Sequence, residues 1–146
     1  MIGLIQRVKN AAVHIDGESV AEIGPGSLVL VGFRCGDRMD RIDRFVERIL
    51  NYRLFADEQG RMNLSLRQTG GGLLLVPQFT LAADTDAGNR PSFTPAAPPD
   101  EGEVLFGELS ARALAAWPYT GCGRFGADMQ VHLVNDGPVT FWIEVD

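Results

Sequence analysis

Lysine is almost missing from this chain. Of thirteen basic residues only Lys9 is a lysine, and the other twelve are arginines. Nineteen acidic residues bring the formal net charge to −6. Broad electrostatic attachment to nucleic acid draws on an excess of Lys and Arg, so this balance argues against a general nucleic-acid binder and leaves room only for a small local contact. Arginine suits such a contact, because its planar guanidinium holds phosphate or carboxylate in a fixed direction. Histidine is scarce too. His14 and His132 both fall in strand-like runs, beside no nucleophile and at no metal-ligand spacing, so they read as structural or exposed side chains. The two cysteines, Cys35 and Cys122, match no metal or redox motif. No metal or cofactor is expected, and reduced thiols in a cytoplasmic protein are the simplest reading. No apolar run approaches the ~20 residues that span a bilayer. The opening Met1-Ile2-Gly3-Leu4-Ile5-Gln6-Arg7-Val8 lacks the basic-then-apolar order of an export signal, so neither membrane nor export is expected.

What is present is an ordinary globular balance, 45% hydrophobic and 22% charged. The length fits one domain over residues 1–146, able to bury roughly 70% of the surface of the unfolded chain. Residues 2–8 and 11–15 read as strands joined at Lys9-Asn10, followed by a hairpin turn at Asp16-Gly17. Leu28–Phe33 is a continuous apolar run, suited to a strand buried on both faces. Asp37 is placed to cap a helix in which Ile42, Phe45, Val46, Ile49 and Leu50 recur at helical spacing. Asp57-Glu58-Gln59-Gly60 is a turn, and residues 61–72 read as irregular. Leu73–Leu81 is a second apolar strand, interrupted by Pro77. Residues 82–99, with four prolines, read as a long ordered loop, a type that is often functional. A second helix covers about 100–116 and ends at Trp117-Pro118, and Gly121 and Gly123 mark a loop. Met129–Val134 and Val139–Val145 close the chain as strands. These elements predict an α+β layered domain.

Four segments can carry chemistry. Pro77-Gln78-Phe79-Thr80-Leu81 stands at a strand end, where sites are common. It is either a plain strand end with two polar side chains, or a place where the N–H groups of Phe79 and Thr80 act as oxyanion donors while Gln78 and Thr80 orient a substrate. Gly88-Asn89-Arg90-Pro91-Ser92-Phe93 is a turn, or a loop in which Arg90 meets a phosphate and Phe93 lines a pocket. Gly121–Ala127 lacks the strand-to-helix setting of a phosphate loop, and packing of small residues explains it better. Asn135-Asp136-Gly137-Pro138-Val139-Thr140 joins the last two strands. Alone it reads as a turn, although Gly137 and Pro138 together make a stiff unit able to aim two carbonyl oxygens. With no side-chain base in view, an enzyme built this way relies on backbone donors and substrate groups.

Taken together, Gln6-Arg7-Val8, Gln78-Phe79-Thr80-Leu81, Gly88–Phe93, Phe125-Gly126-Ala127-Asp128-Met129 and Asn135–Thr140 resemble, in order and spacing, the D-aminoacyl-tRNA deacylases. The resemblance covers essentially the whole chain. It implies a homodimer of layered β/β/α architecture that hydrolyses the ester joining a D-amino acid to the 3′-terminal adenosine of tRNA, and that also acts on glycyl-tRNA. It implies a reaction centre at Gln78, Phe79 and Thr80, with participation of the adenosine 2′-OH. It further implies a chirality filter at Gly137 and Pro138, joined by a cis bond, reaching into the partner subunit's pocket. Arg7 matches the arginine that holds this filter, and Phe93 and Met129 fall in the neighbouring motifs as supporting residues. One position departs from the pattern: Pro77 stands where the family usually has Ser. A related family that clears L-alanine from tRNA carries Pro there, but it also changes the residues matching Phe79 and Arg7. Both are retained here, so the D-specific reading is preferred. The other alternative is a non-catalytic RNA-binding module on the same fold.

Overall fold

Side-chain alternation along the strands decides how the layers stack. The computed structural model describes residues 1–146. In chain order it holds β1 (Ile2–Ile15), β2 (Glu18–Ile23), β3 (Gly26–Gly32), α1 (Ile42–Asn51), β4 (Phe55–Ala56), β5 (Met62–Leu64), α2 (Leu66–Thr69), β6 (Gly72–Pro77), α3 (Pro99–Ala116), β7 (Thr120–Cys122) and β8 (Gln130–Glu144). Short 3-10 turns cover Met39–Arg41 and Phe79–Ala82. Successive strand residues point to opposite faces. Val29, Val31, Leu73 and Leu75 therefore join one core with Phe45, Ile49, Leu105 and Leu109 of α1 and α3. Leu28, Leu74 and Val76 join a second core with Val8, Ala11 and Val13. Both faces of β3 and β6 are buried, which is why they read as unbroken apolar runs.

The main sheet runs β2-β1-β3-β6-β7, with β8 also paired to β1. Its inner face closes on itself: a Cβ at Gly72 would lie 2.8 Å from Ile23 of β2, and one at Gly121 only 3.2 Å from Ala21. One layer of helix on one side and a folded-over sheet on the other give the expected β/β/α stacking. No helix is long and apolar enough to cross a membrane.

Several local expectations are corrected. Lys9-Asn10 does not divide the first strand. β1 runs through it and changes partners there, pairing β3 over Ile2–Val8 and β2 over Ala11–Ile15. Asp37 caps no helix: its carboxylate accepts the Arg34 N–H at 2.8 Å and the Met1 amino group at 2.7 Å. Residues 61–72 hold β5 and α2, the latter closed by a reciprocal Ser65–Gln68 capping box. The second apolar strand stops at Pro77, four residues short of Leu81. Thr120–Cys122 is a strand, paired in parallel to β6.

The largest correction concerns Asn135–Thr140. It joins no hairpin, because β8 continues through it and both arms pair with β1. Thr140 to Asn135 is a five-residue step opposite the two-residue step from Gln6 to Val8. The surplus is pushed out as a wide bulge facing Arg7.

Candidate active site

β6 delivers the first wall of the site. Gln78 N–H bonds to Val31 O at 2.7 Å, so the N–H position of Pro77 faces the other neighbour, β7. There β7 pairs only Leu73–Leu75 and has ended. Proline's missing donor therefore costs the ladder nothing, as at any strand end. The chain then turns: Leu81 N–H bonds to Gln78 O at 3.2 Å and Ala83 N–H to Thr80 O at 3.1 Å. The N–H groups of Phe79 and Thr80 precede the first bond of this turn, so like any helical first turn they lack an intra-turn acceptor. Gln78 Nε2 donates to Thr80 Oγ1 at 2.5 Å, which fixes the amide and leaves the hydroxyl proton free to donate elsewhere.

Phe79 is 54% exposed, unusual for so large an apolar group. It stacks on Phe93, with ring centroids 5.1 Å apart and planes at 58°. Phe93 is held there because its long loop is pinned, by paired backbone bonds between Asp84 and Ser92 (2.8 and 2.9 Å) and by Ala97 N–H to Phe33 O at 2.9 Å.

The opposite wall comes from the segment after β7. Ala127 N–H bonds back to Arg124 O at 3.3 Å, around Gly126 at a φ of 75°. This turn sets Phe125 against the first turn of α3, where a Cβ on Gly102 would meet its ring at 3.0 Å. Met129 packs so closely that a Cβ on Gly123 would lie 2.9 Å from its Sδ and 3.3 Å from Pro77. Between the walls is a cavity of about 440 Å³, lined by Gln78, Phe79, Met129, Phe125 and their neighbours. Its size suits a small ligand or part of a larger one. Asp128 is the sole charged side chain on its lining. Arg90 and Arg124 are exposed and enter no ion pair, whereas Arg7, Arg34, Arg38, Arg41, Arg67 and Arg112 are each matched to a carboxylate.

Gly137 and Pro138 lie elsewhere, exposed at the β1–β8 bulge and outside this chain's own cavity. Their peptide bond is cis. Arg7 Nε donates to Asp136 O at 3.0 Å and Nη1 to Leu54 O at 2.9 Å, tying the bulge to the segment after α1. Gly137 has a φ of 128°, and a Cβ there would stand 2.9 Å from Val139 and 3.0 Å from Arg7 Nη2, so only glycine fits. Asn135 clamps the bulge from within: its Nδ2 donates to Thr140 Oγ1 at 2.8 Å, and its Oδ1 accepts Val139 N–H at 3.1 Å. The structure thus puts Gln78, Phe79 and Met129 on the lining of one cavity, leaves Thr80 and Phe93 off that lining as the neighbours of Gln78 and Phe79, and keeps Arg7, Gly137 and Pro138 together at another place. Sequence reasoning gave Asn135 no role. An Asn followed four residues later by a backbone donor leaves no periodic signal.

The other candidate groups stay apart. His14 and His132 stack on each other across β1 and β8, centroids 4.6 Å apart, and neither lines the cavity. Burial pushes the Cys122 thiol up, opposed in part by the nearby Ser110 hydroxyl, whose own proton goes to Phe106 O at 2.8 Å. Cys35 Sγ points to Ala96 O at 3.0 Å.

The family model described as D-Tyr-tRNA(Tyr) deacylase matches residues 4–144. The D-aminoacyl-tRNA deacylase of Thioalkalivibrio sulfidiphilus is 61% identical over 145 residues, covering 99% of this chain and 97% of that protein. That of Stutzerimonas stutzeri is 60% identical over 144 residues, covering 99% of each. The solved structure of a c-Myc DNA Unwinding Element Binding Protein superposes with a TM-score of 0.94 at 36% identity, over 100% of this chain and 99% of that one. A probable eukaryotic D-amino acid tRNA deacylase, at 14% identity and a TM-score of 0.87 over 99% of this chain and 98% of that one, shares the fold. With a match spanning nearly the whole chain and relatives near 60% identical end to end, the chain belongs to the D-Tyr-tRNA(Tyr) deacylase family.

Proposed function

We propose that this chain hydrolyses the ester of D-aminoacyl-tRNA, releasing free tRNA and a D-amino acid, and thereby proofreads the chirality of translation. The observation that carries the reading is the cavity at the end of β6. It is an apolar chamber with Gln78, Phe79 and Met129 on its lining and two backbone donors placed ahead of a turn. Family membership supplies the substrate class.

In this mechanism water attacks the ester carbonyl, and the N–H groups of Phe79 and Thr80 stabilise the oxyanion. One such donor is worth about 3–4 kcal/mol. Thr80 positions Gln78 and does not attack. The 2′-OH of the terminal adenosine takes the part a side-chain base plays elsewhere, and the cavity offers no histidine for that part.

Gly137 and Pro138 serve as the chirality filter. D and L isomers differ in the direction of one side chain, so a rigid obstacle where the L side chain would go rejects every L residue. Backbone carbonyls do this whatever the side chain, and a built-in clash discriminates strongly. Glycine, with no side chain, passes, which accounts for action on glycyl-tRNA. The filter is stiffly held by Arg7 and Asn135 yet stands outside its own cavity. That arrangement suits a homodimer in which each copy supplies the filter for the other's site.

Retention of Phe79 and Arg7 beside Pro77 favours the D-specific enzyme over the L-alanyl-tRNA relative. Deacylation assays on D-tyrosyl-, L-tyrosyl- and L-alanyl-tRNA test the proposal. D-tyrosyl-tRNA is expected to be cleaved far faster than either L substrate. Comparable turnover of L-alanyl-tRNA refutes the D-specific reading, and no turnover of any substrate refutes the enzyme. Thr80→Ala is expected to leave measurable turnover. Complete loss with binding and fold intact would point instead to a covalent or acid-base threonine.

A further inference from the structure

We propose that Phe93 and Arg90 form a subsite for the nucleotide that precedes the terminal adenosine of the tRNA, with its base stacked on the Phe93 ring and its phosphate at Arg90. The proposal rests on the deacylase reading and extends that site by one nucleotide.

Two apolar rings stand in water beside the cavity. Phe79 is 54% exposed and Phe93 43%, although the two are in contact. In every other aromatic pair of the chain at least one ring is buried or half-buried. Phe79 lines the cavity and Phe93 does not. Their planes are tilted by 58°, so one flat group cannot lie on both. The ring of Phe93 is therefore left for a group just outside the cavity. Every nucleobase offers a flat π-face, and exposed aromatic rings are what single-stranded nucleic acid stacks on.

The ring is held in place from both sides. Just before it, Asp84 and Ser92 exchange backbone bonds at 2.8 and 2.9 Å. Just after it, Ala96 N–H bonds back to Phe93 O at 3.0 Å, and Cys35 N–H to Pro95 O at 2.9 Å. Ala97, four residues on, already belongs to the cavity wall. A ring fixed this way takes a base without first ordering a loop, which spares the binding that cost.

Charge matches the same occupant. Arg44, Arg61, Arg90 and Arg124 are the arginines whose side chains bond to nothing within the chain; the others each hold a carboxylate, a carbonyl or an amide oxygen. Arg44 belongs to α1 and Arg61 precedes β5. Arg90 lies on the pinned loop, three residues before Phe93. A net charge of −6 gives no diffuse attraction for RNA, so directed contacts of this kind are what is left to hold it.

Three D-tyrosyl esters test the subsite: that of adenosine, that of the dinucleotide cytidylyl-adenosine, and that of the same dinucleotide with its first base removed. In the native enzyme the added cytidine nucleotide is expected to lower KM about tenfold, the order of one base stack, and removal of its base to abolish most of that gain. Phe93→Ala is expected to lose the gain and to treat the intact and abasic dinucleotides alike, whereas Phe93→Trp keeps it. Arg90→Ala is expected to weaken both dinucleotides by the same factor. Phe93→Leu, which fills the space but has no aromatic face, is read in place of Phe93→Ala if the latter does not fold. An equal loss on all three esters overturns the subsite and leaves Phe93 as a prop for Phe79. A gain kept in full by Phe93→Ala overturns it as well. If the added nucleotide gives the native enzyme no gain and Phe93→Ala lowers the sedimenting mass, the rings belong under a second copy of the chain and the subsite is refuted. If the native enzyme cleaves none of the esters, the deacylase reading falls and the subsite with it. If it cleaves them and Phe93→Ala is indifferent to the added base, only the subsite falls.

Discussion

Replacing Arg7 by lysine separates charge from geometry at the bulge. The native guanidinium reaches two carbonyl oxygens in different directions, Asp136 O at 3.0 Å and Leu54 O at 2.9 Å, with the Asp136 carboxylate 3.7 Å away. Its side chain is 18% exposed, so water replaces a lost bond poorly. Lysine keeps the charge but has one nitrogen, which cannot span both oxygens. One bond to a charged group is worth about 1.5–3 kcal/mol, and at 1.36 kcal/mol per tenfold its loss loosens the bulge by about 10- to 100-fold. If the bulge is the filter, that loosening falls on selectivity. The expected result for Arg7→Lys is a D-tyrosyl-tRNA rate within about threefold of native and an L-tyrosyl-tRNA rate raised about tenfold or more. Single-turnover deacylation of both substrates, with a urea melt run alongside, reads these quantities. A melt lowered by about 2 kcal/mol with L-tyrosyl-tRNA still rejected would refute the reasoning and leave Arg7 as a brace for the fold.

Three further outcomes are expected. Ser27 is fully buried and its Oγ has no hydrogen-bond partner, so Ser27→Ala removes an unpaid desolvation cost and is expected to add about 1 kcal/mol in a urea melt; a loss of stability would mean the hydroxyl is bonded. The Glu144 carboxyl is held down to about 2 by hydrogen bonds from Arg34 first and Trp142 second. A folded pKa below the unfolded one stabilises above the unfolded value, near 4.3, and that contribution is lost as pH falls towards 2. Because both partners are more than a third exposed, the contribution is discounted to about 1 kcal/mol or less, and Glu144→Gln is expected to flatten the acid side of the stability profile; an unchanged profile refutes the coupling. Arg90 and Arg124 are free to meet phosphates of the single-stranded 3′ end. Arg90→Ala and Arg124→Ala are each expected to lower the slope of log affinity against log salt by about 0.7, and an unchanged slope removes that residue from the RNA contact.

Legibility in the sequence followed the range of the interactions. Ile42, Phe45, Val46, Ile49 and Leu50 mark α1 because helical spacing is written within a few residues, and all five are buried. Pro99, with Asp100 and Glu101 behind it, starts α3 for equally local reasons. The four-residue α2 is too short for periodicity to show, although Ser65 followed three places later by Gln68 is a capping-box signal that marks its start. The end of β6 at Pro77 was visible as an interruption, but the bend at Phe79 depends on Gln78 bonding to a neighbouring strand.

Asn135–Thr140 divides the two kinds of information most clearly. Its composition alone specified a stiff piece of backbone at that point, because proline and glycine act on their own dihedral angles. Whether its arms pair with each other or with a third strand is a matter of contacts more than a hundred residues away, at Gln6, Arg7 and Val8. The family resemblance names Arg7 as its brace, but only the tertiary structure made it a bulge, added Asn135 as a second clamp, and held it outside its own cavity. The same holds for Phe125 and Met129, which stand on the cavity wall against Gly102 of α3 and against Gly123 beside Pro77. Local sequence determined the elements and the reactive groups. Long-range packing decided which of those groups share a site.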